Sequence, residues 1–210
     1  MKSELENIAS SYAAKCHRDT NHMYGSFPYT AHLHSVRSVA YRYRHHIPEG
    51  KQSVVFSGAW CHDIIEDTRQ TYNDVVTAVG TEVAELVYAL TNEKGKNRAE
   101  RANQKYYDGI KATPMATFLK LCDRIANIKA ATKHTRMLEV YKKEQAKFRA
   151  ALHTPEYDDM WQYMERLLGM NATLTPAEAA KGRSSHYYSL SPQEQWDEDK
   201  RLGILDWDGK

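Results

Sequence analysis

QSVVFSGAWCHDIIEDT, residues 52–68, sets a strongly apolar run directly against one histidine and three carboxylates. Val54, Val55, Phe56, Ala59 and Trp60 cover most sides of a helix over 52–66, the pattern of a central, buried helix. On a continuous helix Glu66 lies one turn after His62, and Asp67 one turn after Asp63. All four then cluster over one turn, on adjoining faces. Glu66 and Asp67 alone could equally be a solvated acidic edge. His62 and Asp63 follow Ala59–Trp60–Cys61 directly and share their burial. A buried carboxylate is costly unless a charge compensates it. A divalent metal supplies that charge, and imidazole with carboxylate suits manganese, iron or zinc.

Two other places offer ligands. His32 opens a helix in PYTAHLHSV, whereas His34, two residues on, points elsewhere. Asp123 is a charge in the middle of an apolar helix, FLKLCDRIANI, where it could also pair with Lys120 or Arg124. Together these are four ligands on three core helices. The rest of the chain reads as helix too. Leu5 to Cys16 recur at helical spacing, HRDTNHMYGSFPYT (17–30) is a polar loop, and a second helix runs through Val36 and Tyr43 to near Pro48. Thr71 with Asp74 forms a capping pair for a short helix stopped by Gly80. Thr81 starts another. TNEKGKNRAERANQK (91–105) is basic and polar, helical at most at its start. Thr113–Pro114 opens the helix carrying Asp123, and helices over 135–152 and 155–169 follow. No stretch alternates with period two. The fold expected is all-α, a domain over 1–170 with a polar extension of short helices over 171–210.

The 210 residues suffice for one core, and 41% hydrophobic content marks a globular chain. A net charge of +2 argues against a nucleic-acid platform while leaving room for a small anionic substrate. Cys16, Cys61 and Cys122 lie among apolar neighbours without CxxC spacing, as reduced core thiols of a cytoplasmic protein do. Neither a signal core nor a membrane span is visible.

The residues carry a resemblance. His32, the His62–Asp63 doublet and Asp123 are arranged as in the HD superfamily of metal-dependent phosphohydrolases. PYTAH (28–32) resembles the PYI-x-H segment of the RelA/SpoT hydrolase domain and of the small, Mesh-type alarmone hydrolases. HDIIEDT (62–68) resembles their HDxxEDT, Thr71 with VGTEVAELV (79–87) their T…FGxxVAxLV, and LKLCDRIANIK (119–129) their IKLADRxxNM. The blocks agree in order and spacing over roughly residues 5–150.

The resemblance implies an HD helical bundle that hydrolyses the 3′-pyrophosphate of (p)ppGpp to GDP or GTP with one manganese ion. His32, His62, Asp63 and Asp123 would hold the metal. Glu66 and Asp67 would handle the attacking water and its proton, and Asn127 would touch the substrate. The expected partner is a small nucleotide, neither nucleic acid nor membrane, with homo-oligomerisation left open. Synthetase and regulatory domains are not expected, so such an enzyme could only destroy alarmone. One departure is the loop before PY, where the family has basic residues and this chain has Asn21–His22–Met23–Tyr24–Gly25. Arg18 is nearby, and His22 or Tyr24 could stack on a base. Lys94, Lys96, Arg98, Arg101 and Lys105 could contact phosphates or form a solvated loop, and Lys120 is a further anion contact. The departure keeps a second reading open, an HD phosphohydrolase of a dNTP, NADPH or a nucleoside monophosphate. A third is a non-catalytic nucleotide-binding module.

Overall fold

Ser3 caps the first helix, α1 (Glu4–Asp19), by accepting the Glu6 N–H at 3.1 Å. The computed structural model describes residues 2–132 and 135–170. After α1 the backbone takes a left-handed step at Asn21 (φ 53°) and forms a two-residue hairpin, β1 (Met23–Tyr24) against β2 (Phe27–Pro28). Gly25, at φ 62°, makes the turn. The expected loop therefore contains strands, too short for any alternation to register in the sequence. α2 (Thr30–Arg42) follows and ends in a single 3-10 turn at Arg44–His46.

The central helix is interrupted. α3 (Gln52–Cys61) stops, the chain turns through His62 and Asp63, and a single turn, α4 (Ile64–Asp67), closes the segment. The expected unbroken helix over 52–66 is corrected here: Asp63 sits at φ −101°, ψ 2°, outside the helical well. α5 (Tyr72–Val79) begins with the expected capping box at Thr71 and Asp74, and Gly80 (φ 85°) separates it from α6 (Thr81–Leu90). The basic stretch is more ordered than expected. α7 (Arg98–Arg101) is capped by Asn97, and α8 (Gln104–Ala112) by Asn103. Tyr106, Tyr107 and Ile110 at helical spacing bury one face of α8. Thr113–Pro114 forms a turn instead of the helix start, because Met115 takes a left-handed conformation (φ 64°) before α9 (Ala116–Ala131). α10 (Thr135–Leu152), a 3-10 turn at Pro155–Tyr157 and α11 (Asp158–Leu167) complete the described chain. The expected extension over 171–210 lies outside the described residues.

Among the described residues the fold is all-α apart from the hairpin. α3 packs against α1, α2, α6 and α9, and α9 also meets α2, α10 and α11. Gly58 explains how α3 and α9 approach so closely. A Cβ built there would lie 2.9 Å from Leu119 Cδ1 and 3.3 Å from Leu86 Cδ1. Glycine costs about 1 kcal/mol of helix propensity, which the close packing offsets. Glu6 ties three helices together: it is buried, accepts from Arg37 Nε at 2.7 Å, and accepts from Trp60 Nε1 at 3.3 Å. Among the described residues no helix is long and apolar enough to cross a membrane.

Candidate active site

His32 comes from the first turn of α2, His62 and Asp63 from the break between α3 and α4, and Asp123 from the middle of α9. The helix break is what brings the doublet together with the other two. His62 Nε2 lies 2.9 Å from Asp63 Oδ2 and 3.7 Å from Asp123 Oδ1. His32 Nε2 lies 3.3 Å from Asp123 Oδ1, 3.5 Å from Asp63 Oδ2, and 3.3 Å from His62 Nε2. The histidines are 1% and 2% exposed and Asp123 7%.

This donor set fits a divalent cation. Ligands each ~2.1 Å from one ion stand ~3.0–3.4 Å apart at angles between square and tetrahedral, close to the separations found. His62 Nδ1 lies 3.0 Å from the carbonyl of Ala59, which can only accept. That nitrogen therefore carries a proton and leaves the Nε2 lone pair facing the cluster, the tautomer a metal requires. Without a cation the site must hold protons instead. Burial lowers the affinity of His62 for a proton, but Asp63 and Asp123 reverse this and push its pKa up to about 10. Burial raises the Asp63 and Asp123 carboxyls, and their cationic neighbours outweigh it, so both stay well below the usual carboxylate range. A divalent cation would replace the proton between them.

Around these four the structure assembles a supporting ring. The Tyr29 hydroxyl donates to Asp63 Oδ2 at 2.5 Å, and its ring stacks on His22 at 3.8 Å. His17 closes that stack, with its Nδ1 3.0 Å from His22 Nδ1. Asn127 donates to Asp123 Oδ1 at 2.6 Å and accepts from the Tyr24 hydroxyl at 3.2 Å. The Tyr24 ring also stacks on His32 at 4.9 Å. Lys120, mostly buried, pairs with Asp123 Oδ2 at 3.0 Å.

Glu66 accepts from Asn92 Nδ2 at 2.9 and 2.8 Å and from the Asn92 backbone N–H at 3.3 Å. Arg101 Nη1 lies 3.9 Å from the same carboxylate. Asp67 is exposed, yet the protein around it and the charges of Asp63 and Glu66 raise its pKa to about 6. Arg98 faces elsewhere, paired with Glu144 at 2.7 Å, and Arg124 shares that glutamate. Lys105 pairs with Glu93 at 2.8 Å. Arg18 is exposed at the end of α1. Sequence reasoning missed Tyr29 and Asn92 as supports. Tyr29 stood inside the PYTAH block and carried its own signal, whereas Asn92 lies 26 positions from its partner Glu66, with no spacing rule to link them.

An all-α bundle that gathers a histidine, a His-Asp doublet and a distant aspartate over two further carboxylates resembles the HD-type ppGpp hydrolases. Particular relatives bear this out. The guanosine-3′,5′-bis(diphosphate) 3′-pyrophosphohydrolase MESH1 of Danio rerio is 29% identical over 126 residues, covering 60% of this chain and 67% of that one. MESH1 of Mus musculus is 33% identical over 76 residues, 36% of this chain and less than half, 42%, of its own length. A solved structure, described as a metazoan ortholog of SpoT that hydrolyses ppGpp and plays a role in starvation responses, shares the fold. Its TM-score is 0.50 at 20% identity, over 98% of this chain and 99% of that one. No family model matches the chain.

Proposed function

We propose that this chain is a metal-dependent phosphohydrolase that removes the 3′-pyrophosphate of (p)ppGpp-type nucleotides, with one Mn2+ held by His32, His62, Asp63 and Asp123. The observation that carries the reading is the convergence of two imidazoles and two carboxylates, the His62–Asp63 pair among them one turn ahead of Glu66 and Asp67, in a chain related to proteins named for that reaction. When bound, the cation would acidify a water and neutralise phosphoryl charge. The residues supply the remainder. Asp67 accepts the proton of the attacking water. Glu66, clamped by Asn92, orients that water. Tyr29 and Asn127 fix the ligating carboxylates Asp63 and Asp123. Lys120 and Arg101 place positive charge beside the anionic substrate. The oxygen of water joins the phosphorus attached to the 3′-oxygen, that P–O bond breaks, the 3′-oxygen takes up a proton to become the hydroxyl of GDP or GTP, and pyrophosphate departs. The buried free thiols of Cys16, Cys61 and Cys122 support a reducing, cytoplasmic setting.

One observation favours a different nucleotide as substrate. The hairpin at the rim has no lysine or arginine between Asp19 and Tyr29, and Tyr24 on it is bonded to Asn127. The test is turnover of the manganese-loaded protein against ppGpp, pppGpp, their adenine counterparts, dNTPs, NADPH and nucleoside monophosphates. Pyrophosphate release from ppGpp is the expected result. Hydrolysis confined to other members of the panel would keep the metal site and discard the alarmone. Silence throughout, with metal bound, would discard the enzyme.

A further inference from the structure

α2 carries His32 at its start. Roughly 20 Å along the helix, its far end turns into His45 and His46, and both reach the same carboxylate on another element. His45 Nε2 lies 3.1 Å from Asp159 Oδ2, and His46 Nε2 lies 2.9 Å from Asp159 Oδ1. The ligand atoms of the three residues fall within 4.8 Å of one another. The arrangement is built from both sides. His45 and His46 are adjacent in the 3-10 turn, and their rings stand 4.1 Å apart. His46 is wedged edge-on against Tyr157 at 5.2 Å, just ahead of α11. Asp159 lies in the first turn of α11 and takes the Met160 N–H on Oδ1 at 2.8 Å.

We propose that His45, His46 and Asp159 form a second metal site, distinct from the catalytic one, that takes an imidazole-preferring cation such as Zn2+ and fastens α11 to the end of α2. Two imidazole nitrogens and a carboxylate, partly open to solvent, leave at least one position for water. That donor set ranks Zn2+, Co2+, Ni2+ and Cu2+ above Mg2+ and Ca2+. With both histidines neutral the trio carries one negative charge, so a divalent ion meets attraction rather than repulsion. Nothing in the inference depends on the proposed alarmone chemistry, since the site shares no residue with the catalytic cluster.

The experiment is titration of the metal-free full chain with Co2+ and Zn2+, read by calorimetry and by the visible absorption of bound Co2+. The wild type should take two equivalents. His45→Ala and Asp159→Asn should each take one. His45 is 52% exposed on its side chain, so its removal leaves the packing intact. His62→Ala should retain the second equivalent and its thermal stabilisation by Zn2+. A wild type that binds one equivalent, lost in His62→Ala, would overturn the proposal. So would an unchanged stoichiometry in His45→Ala and Asp159→Asn, which would leave the trio a hydrogen-bonded staple.

Discussion

Asp67 is the residue at which, on the proposed mechanism, stability and activity pull apart. Its carboxyl holds a proton up to about pH 6 in the folded chain, whereas an unfolded aspartate releases it near pH ~4. Between those values the native state binds more protons, so metal-free stability falls as pH rises through the window. Asp67→Asn removes the penalty. Its melting temperature in chelator should exceed the wild type at pH 7 and match it at pH 4, while turnover falls by roughly 10²–10⁴. Equal melting at both values would show that Asp67 is unstrained. Tyr29 makes the complementary case. Tyr29→Phe deletes the 2.5 Å bond to Asp63 and keeps the ring against His22. Calorimetry should show Mn2+ binding weakened about 10–100-fold, with the circular dichroism of the wild type. Of these residues, His32, His62, Asp63 and Asp123 were legible from the sequence, because a charge inside an apolar helix needs a reason. Asn92 was not, because a hydrogen bond between segments 26 positions apart leaves no periodic trace.

At the scale of elements, α3 and α9 set the geometry of the site, since one ends at His62 and the other carries Asp123. Their spacing depends on Gly58, where a Cβ would meet Leu119. Gly58→Val should destabilise by about 1–3 kcal/mol, read as a lower denaturant midpoint at unchanged slope, and should loosen metal binding with it. An unaltered midpoint would mean that the helices slide apart freely. Most helices were readable from apolar spacing and capping pairs, as Thr71–Asp74 illustrates. The break at His62–Asp63 was not, because each residue there is compatible with a helix. What ends α3 is the turning of two polar side chains toward partners on α2 and α9, which local propensity does not encode.

At the scale of the whole molecule, the cluster of His32, His62, Asp63 and Asp123 joins α2, the α3–α4 break and α9, so a bound cation would cross-link the bundle. Mn2+ at one hundred times its dissociation constant should add about 2.7 kcal/mol to the unfolding free energy. A thermal melt would show the shift in the wild type and none in His62→Ala; a shift in both would place the ion elsewhere. By itself the sequence determined the all-α class, the helices with strong apolar stripes, and which four side chains the fold would bring together. Periodicity and the cost of burying charge are local properties that a chain cannot hide. Only the tertiary structure decided the helix break, the hairpin at the rim, the clamp of Asn92 on Glu66, the withdrawal of Arg98 to Glu144, and the meeting of His45 and His46 with Asp159. Apart from the hairpin, whose strands pair locally, each of these depends on contacts between segments far apart in the chain, and those contacts follow from how the helices pack rather than from any spacing along them.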